Sequence, residues 1–256
     1  MNKKLAAAIM VLALGMTACA STQSKMQKAR GKDPRYQYNV GLFYLNQNNL
    51  DEAIKYFVKS LALDSTYHLA WNSLGIAHSL KGNLQESAKA FEKCLELNPG
   101  FSEARNNLGT IYQELNLLDK AEAEFRQAAS DRNYPNKELP FYNLARLYYI
   151  RDKLEAAYDS VLNAIQLQPR LAMAHNLKGL ILERWNRLPE AIAAYEEAVK
   201  VVPEDVLFNY NLAAARFKNN DYDKAREIFL RISPKVTDPE MREKVAAFLK
   251  MIDAIK

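Results

Sequence analysis

The chain repeats itself at an offset of 34 residues, and this constrains its fold more than any other feature. Val40-Gly41, Leu74-Gly75 and Leu108-Gly109 stand one such step apart. The same order of residue types follows each pair. The first repeat (34–67) carries Val40, Gly41, Tyr44, Ala53, Phe57 and Ser60. The second (68–101) carries Trp71, Leu74, Gly75, Ser87, Phe91, Cys94 and Pro99, and the third (102–135) Leu108, Gly109, Tyr112, Ala121, Phe125 and Ala128. The frame then slips by two residues. The fourth repeat (138–171) carries Phe141, Leu144, Ala145, Tyr148, Ala157, Val161, Ala164 and Pro169. The fifth (172–205) carries Gly179, Ala191, Tyr195, Ala198 and Pro203, and the weaker sixth (206–239) Leu212, Ala213, Ala225 and Phe229. A fixed step of this length marks one supersecondary unit per repeat, and such a unit buries its apolar face only by stacking on its neighbours.

This order of residues resembles the tetratricopeptide repeat. The resemblance implies two antiparallel helices per unit. Small residues such as Gly75, Gly109, Ala121 and Ala128 then sit where helices approach closely, and Phe91 and Phe125 fill the gap between pairs. Pro99, Pro169 and Pro203 stop one helix and let the next begin. The expected fold is all-α, a superhelical solenoid of six helix-turn-helix repeats over 34–239 with a C-terminal capping helix over 240–256. In that last helix Asp238 is placed to cap and Pro239 suits the first turn. Val245, Phe248, Leu249 and Ile252 form its apolar stripe. Only 8 Gly and 9 Pro occur in 256 residues, which disfavours a strand-rich, turn-rich alternative.

The N-terminus reads as a targeting segment. Lys3 and Lys4 precede an apolar run over residues 5–16. That run is too short to span a bilayer, which takes about 20 apolar residues, and it fits a secretory signal over 1–18. It ends in Met16-Thr17-Ala18-Cys19, which resembles the bacterial lipobox. The resemblance implies a diacylglyceryl group on the Cys19 thiol and cleavage just before it. It also implies a periplasm-facing lipoprotein, and Ala20, rather than Asp, after the cysteine points to the outer membrane. Loss of Lys3 and Lys4 would lower the formal charge from +5 to +3. Cys19 and a polar tether then span 19–33, and the fourteen residues 20–33 reach about 45–50 Å at full extension.

The folded part offers little chemistry. His68, His78 and His175 show no metal-ligand spacing, and no Gly-rich phosphate loop or serine elbow occurs. Cys94 occupies a small-residue slot of its helix, as a small apolar side chain would. Acidic and basic residues alternate, so no basic stripe for nucleic acid is present. The expectation is a protein without catalytic residues, metal, cofactor, nucleic acid or small-molecule substrate.

Binding is expected on the inner face, which in tetratricopeptide repeat proteins is built mainly by the first helix of each pair. The sixth place of that helix holds Asn39, Ser73, Asn107, Asn143, Leu177 and Asn211. An amide both donates to and accepts from a peptide backbone, but Asn is also common there for structural reasons, and both readings stay open. Asn72 and Asn106 precede this place. The first two repeats add Tyr38, Leu42, Leu45, Leu69, Ile76 and Leu80, an apolar surface suited to a partner's helix or strand. The fourth adds Tyr142, Arg146 and Tyr149, a mixed aromatic and cationic patch.

Six such repeats behind a lipobox resemble the pilotin lipoproteins of type IV pilus biogenesis. The most specific local element is the break over residues 130–137, Ser-Asp-Arg-Asn-Tyr-Pro-Asn-Lys, since family members carry a similar Tyr-Pro insertion before the fourth helix pair. The resemblance implies a lipid-anchored scaffold that binds a protein partner, a secretin subunit, and assists secretin placement. The alternative is a general periplasmic adaptor that docks cell-wall enzymes or proteases.

Overall fold

The computed structural model describes residues 31–255. The expected signal peptide, Cys19 and most of the tether lie outside them. Among the described residues the regular elements are helices: α1 (Pro34–Asn46), α2 (Leu50–Leu63), α3 (His68–Leu80), α4 (Leu84–Leu97), α5 (Ser102–Glu114), α6 (Leu118–Ser130), α7 (Glu138–Ile150), α8 (Leu154–Leu167), α9 (Ala172–Arg184), α10 (Leu188–Val201), α11 (Val206–Lys218), α12 (Tyr222–Ile232) and α13 (Pro239–Ile255). A single 3₁₀ turn, Ser233–Lys235, sits before α13. The described residues form two compact units, one up to residue 116 and one from residue 117, divided in the turn between α5 and α6.

The turn inside each pair is fixed by one backbone conformation. Asn48, Gly82, Asn116, Asp152, Asn186 and Asn220 all have φ between 57° and 81°, the left-handed region. They recur at the repeat step, with the two-residue slip between Asn116 and Asp152. Glycine and asparagine tolerate this region best. The residue before each ends a helix, and the hydrogen bonds form a Schellman closure. The amide of Asn49 donates to the Tyr44 carbonyl and that of Asn48 to Leu45, both at 2.9 Å. The same pair of bonds closes α3, α7, α9 and α11. Acidic residues such as Asp51, Glu52, Glu86, Asp119 and Glu190 then occupy the first turns of the second helices, where the positive helix end favours them.

The turn between pairs is tied differently. In every repeat but the fourth, the fourth residue of the first helix makes a side-chain hydrogen bond to the carbonyl six residues upstream. Trp71 Nε1 reaches the Ser65 carbonyl at 2.9 Å, Arg105 Nη2 that of Pro99 at 2.7 Å and Asn209 Nδ2 that of Pro203 at 2.8 Å. His175 Nε2 lies 2.9 Å from the Pro169 carbonyl and Gln37 Nε2 donates to Gly31 at 3.1 Å. His175 is therefore a structural histidine. The fourth repeat has Phe141 at this place and no such donor. Its entry is instead the inserted segment, in which Tyr134 is buried and Asp131 Oδ1 accepts from the Asn133 amide at 2.9 Å.

In unit 1 the core joins Ala53, Phe57, Leu61, Ala70, Leu74, Ala77 and Ala90. Unit 2 has a larger core that runs from Leu182 and Tyr195 through Phe229 to Val245 and Ile252. Close approach inside a pair explains the glycines. A Cβ on Gly75 would lie 2.8 Å from the Phe91 ring, and one on Gly41 2.5 Å from Phe57. The last helix, α13, covers α12: Phe248 stacks on Phe229 at 4.9 Å and 13°. Asp238 caps α13 by accepting from the Met241 amide at 2.7 Å.

Candidate functional site

The first helices of successive repeats touch one another within each unit, α1 with α3 and α3 with α5, then α7 with α9 and α9 with α11. Each unit therefore presents an inner face made from one stripe of its first helices, and both faces carry a hollow.

In unit 1 the hollow, about 140 Å³, is lined by Ile76, Ser79 and Leu80 of α3, Phe91 of α4, and Asn107 and Ile111 of α5. Leu80 is 60% exposed, and Ile76 and Asn107 are half-buried. An aliphatic rim around one amide is the chemistry of a site for an apolar side chain next to a peptide bond. Tyr38, Leu42 and Leu45 lie nearby in sequence logic but are half-buried against the unit core. Tyr38 packs on Phe57 at 5.9 Å and edge-on to Tyr67 at 5.1 Å. Leu69 is half-exposed and Asn39 exposed. Asn72 and Asn106 are buried, and Asn72 donates to Glu103 Oε1 at 3.4 Å.

In unit 2 Tyr142, Arg146 and Tyr149 of α7 meet Met173, Leu177 and Leu180 of α9 around a hollow of about 180 Å³. The Arg146 guanidinium lies 5.9 Å from the Tyr142 ring centroid. Burial pushes the Tyr142 hydroxyl pKa above its usual value, with Arg146 opposing that shift. Arg184 lies over Tyr149 at 5.6 Å and is paired with Asp152 at 2.5 Å. Asn211 Nδ2 donates to Asn176 Oδ1 at 2.8 Å, which orients the Asn176 amide at the edge of the hollow. Asn143 is half-buried on the same helix as Arg146.

The structure thus gathers Ile76 with Leu80 and Asn107, and Tyr142 with Arg146 and Tyr149. Asn39, Ser73 and Leu177 share a register position but differ in exposure, the first exposed and the other two buried. Sequence reading missed Met173, Asn176 and Leu180, which sit at the second, fifth and ninth places of α9. Register alone would have found them, since Leu69, Asn72 and Ile76 hold the same places in α3.

The titratable groups show no reactive pairing. The Cys94 side chain is wholly buried and its thiol is pushed up to about 12 by desolvation, so it stays protonated. Among the described residues no group of three His, Cys, Asp or Glu is placed to hold a metal ion. No helix among them is long and apolar enough to cross a membrane.

Tetratricopeptide repeat family models match residues 34–67, 68–101, 90–123, 142–200 and 178–236. Together they cover 34–123 and 142–236, more than half of the chain. The solved structure of PilF from Pseudomonas aeruginosa is similar with a TM-score of 0.76 and 17% identity, over 86% of this chain and 99% of that one. The structure of PilW, a widely conserved type IV pilus biogenesis factor, is similar with a TM-score of 0.74 and 17% identity, over 83% and 98%. The Hsp70-Hsp90 organising protein of Plasmodium falciparum is 39% identical over 56 residues, 22% of this chain and 10% of that protein. The chain spans a fifth or less of the length of the curated relatives it matches. The recurring helix pairs, their glycine-aromatic contacts and the family models agree that the chain belongs to the tetratricopeptide repeat family.

Proposed function

We propose that this chain is a lipid-anchored scaffold of the type IV pilus system, a pilotin that holds a secretin subunit at the outer membrane and assists its assembly without catalysis. One observation carries the reading: the likeness to PilF extends over 86% of this chain and nearly the whole of that structure. The lipobox ending in Cys19 supports a membrane anchor. The hollow bounded by Ile76, Leu80 and Asn107 supports capture of an apolar partner segment. Tethering then does what affinity need not, because lipid and groove together raise the local concentration of the partner.

The test is the amount of heat-resistant secretin oligomer in outer-membrane fractions from cells that carry the wild type, Cys19→Ser, or Ile76→Glu with Leu80→Glu. Leu80 is exposed and Ile76 half-buried, so the paired change should leave the helical CD signal intact. Oligomer lost in both variants is the expected result. Oligomer unchanged in both would refute the pilotin reading and leave the periplasmic adaptor.

A further inference from the structure

The edge at which the array begins is built unlike the later junctions. The third place of the first helix is buried in Ala70, Ala104, Pro140, Ala174 and Phe208, and the tenth in Ala77 and Ile111, because a preceding helix pair covers both. Among the described residues no pair precedes α1, and there these places hold Tyr36, 40% exposed, and Phe43, 57% exposed. With Val40 between them they fall on one stripe of the helix. The patch continues from ring to ring. Phe43 stands edge-on to Tyr44 at 5.5 Å, Tyr44 stacks on Tyr56 at 5.4 Å, and the Lys59 ammonium lies 4.5 Å over the Tyr56 ring. Lys59 in turn borders an open hollow of about 420 Å³ with Gly31, Gln37, Ala62 and Leu63. Gly31 is the first described residue, so the chain from Cys19 joins the fold on the rim of this same patch.

The chemistry of the patch is that of a membrane interface. Tyrosine joins an apolar ring to a polar tip, the combination enriched at headgroup level. A lysine can lay its stem along apolar surface while its ammonium meets a phosphate, and among the described residues no carboxylate pairs with Lys59. The charge of the adjoining sequence points the same way. Residues 20–35 hold five basic side chains, Lys25, Lys28, Arg30, Lys32 and Arg35, against one acid, Asp33. Anionic lipid attracts such a segment over about a Debye length. Reach favours a bilayer over a soluble partner. The fourteen residues 20–33 span about 45–50 Å at full extension, so a chain anchored at Cys19 holds α1 near the lipid at a high local concentration. A second copy seated face to face would bring two basic patches together.

We propose that this edge of unit 1 is a membrane-contact surface, seated on the headgroups of an anionic bilayer. Tyr36 and Phe43 enter the interface, Lys59 and the basic residues before α1 pair with lipid phosphates, and the first repeat rests on the bilayer instead of hanging from its tether. The inference rests on the reading of Cys19 as the lipid-bearing residue and is independent of which protein the scaffold holds.

The experiment takes the mature chain from cell membranes, weighs it for the lipid on Cys19, and reconstitutes it in vesicles of phosphatidylethanolamine and phosphatidylglycerol. A nitroxide is attached at Phe43→Cys or Ala62→Cys on the patch, or at Leu80→Cys on the inner face, all exposed positions. Cys94 is wholly buried and stays unlabelled. Paramagnetic resonance then reads the access of oxygen, which concentrates in lipid, and of a nickel chelate, which stays in water. The two patch labels are expected to gain oxygen and lose nickel access on reconstitution, while the Leu80→Cys label keeps its nickel access. Vesicles of phosphatidylcholine alone, or Tyr36→Glu with Lys59→Glu in the Ala62→Cys chain, are expected to lose that shielding with the helical CD signal intact. Patch labels that stay in water on a lipidated chain overturn the proposal and leave the anchor standing. Shielding that survives the charged variant, or that is equal at all three positions, overturns it too. So do patch labels that broaden one another, since a second copy would then cover the edge. A mature chain without the lipid mass removes the anchor and this proposal with it.

Discussion

At the scale of single residues, the glycines of the first helices and the rings of the second helices form coupled pairs. Gly75 faces Phe91, and a Cβ there would lie 2.8 Å from two ring atoms. The fourth repeat replaces the pair by Ala145 and Val161, both fully buried. The sixth repeat, however, holds Ala213 with Phe229 at the same offset, both fully buried, so an alanine is met by either a small or a large partner. Gly75→Ala gains about 1 kcal/mol of helix propensity and meets an overpacking cost of ~1–3 kcal/mol. The expected outcome is a net loss of stability in urea unfolding followed by far-UV CD. Phe91→Val loses buried volume on its own. The double variant Gly75→Ala with Phe91→Val is expected to lose less than the sum of the two, with a coupling of about 0.5 kcal/mol or more. Strict additivity would show that the two side chains do not compete for the same space. These pairs were legible in the sequence because a small residue and a ring recur at fixed offsets. The depth of the groove residues was not. Register puts Tyr38 and Leu42 on the inner face, yet the Tyr38 ring turns onto Phe57 and Tyr67, and register carries no information about that rotamer.

At the scale of the helix, position within the array decides what a side chain is worth. The tenth place of the first helix is buried in Ala77, Ile111, Leu147, Ile181 and Ala215, where a preceding repeat covers it. In α1 the same place is Phe43, 57% exposed. Phe43→Ala is therefore expected within about ±0.5 kcal/mol of the wild type. Leu147→Ala should cost roughly 2–5 kcal/mol, as for a wholly buried leucine. Both are read from urea midpoints at matched slope, and equal losses would contradict the packing described. The helices and their two-residue slip were readable because stacking demands one frame. The ties between repeats were not, since Gln37, Trp71, Arg105, His175 and Asn209 are five residue types that make the same bond with four donor chemistries. Only the shared donor and the shared geometry unite them, and residue identity hides both. The left-handed turn residues were visible in principle, as four Asn, one Asp and one Gly at the repeat step.

At the scale of the whole molecule, each unit offers an inner face with a hollow of its own. One is aliphatic around Ile76 and Leu80, and the other is cationic and aromatic around Arg146. Neither contains a nucleophile with a base or a metal-binding cluster among the described residues. Recognition through the first helices is the physical claim on which the function rests. Its most direct measurement is photocrosslinking in growing cells, with a benzophenone amino acid placed at Leu80 on the inner face or at Leu162, an exposed residue of a second helix. The account predicts a secretin adduct from the Leu80 position and none from Leu162. An adduct from Leu162 alone, or adducts of equal yield from both, would contradict it.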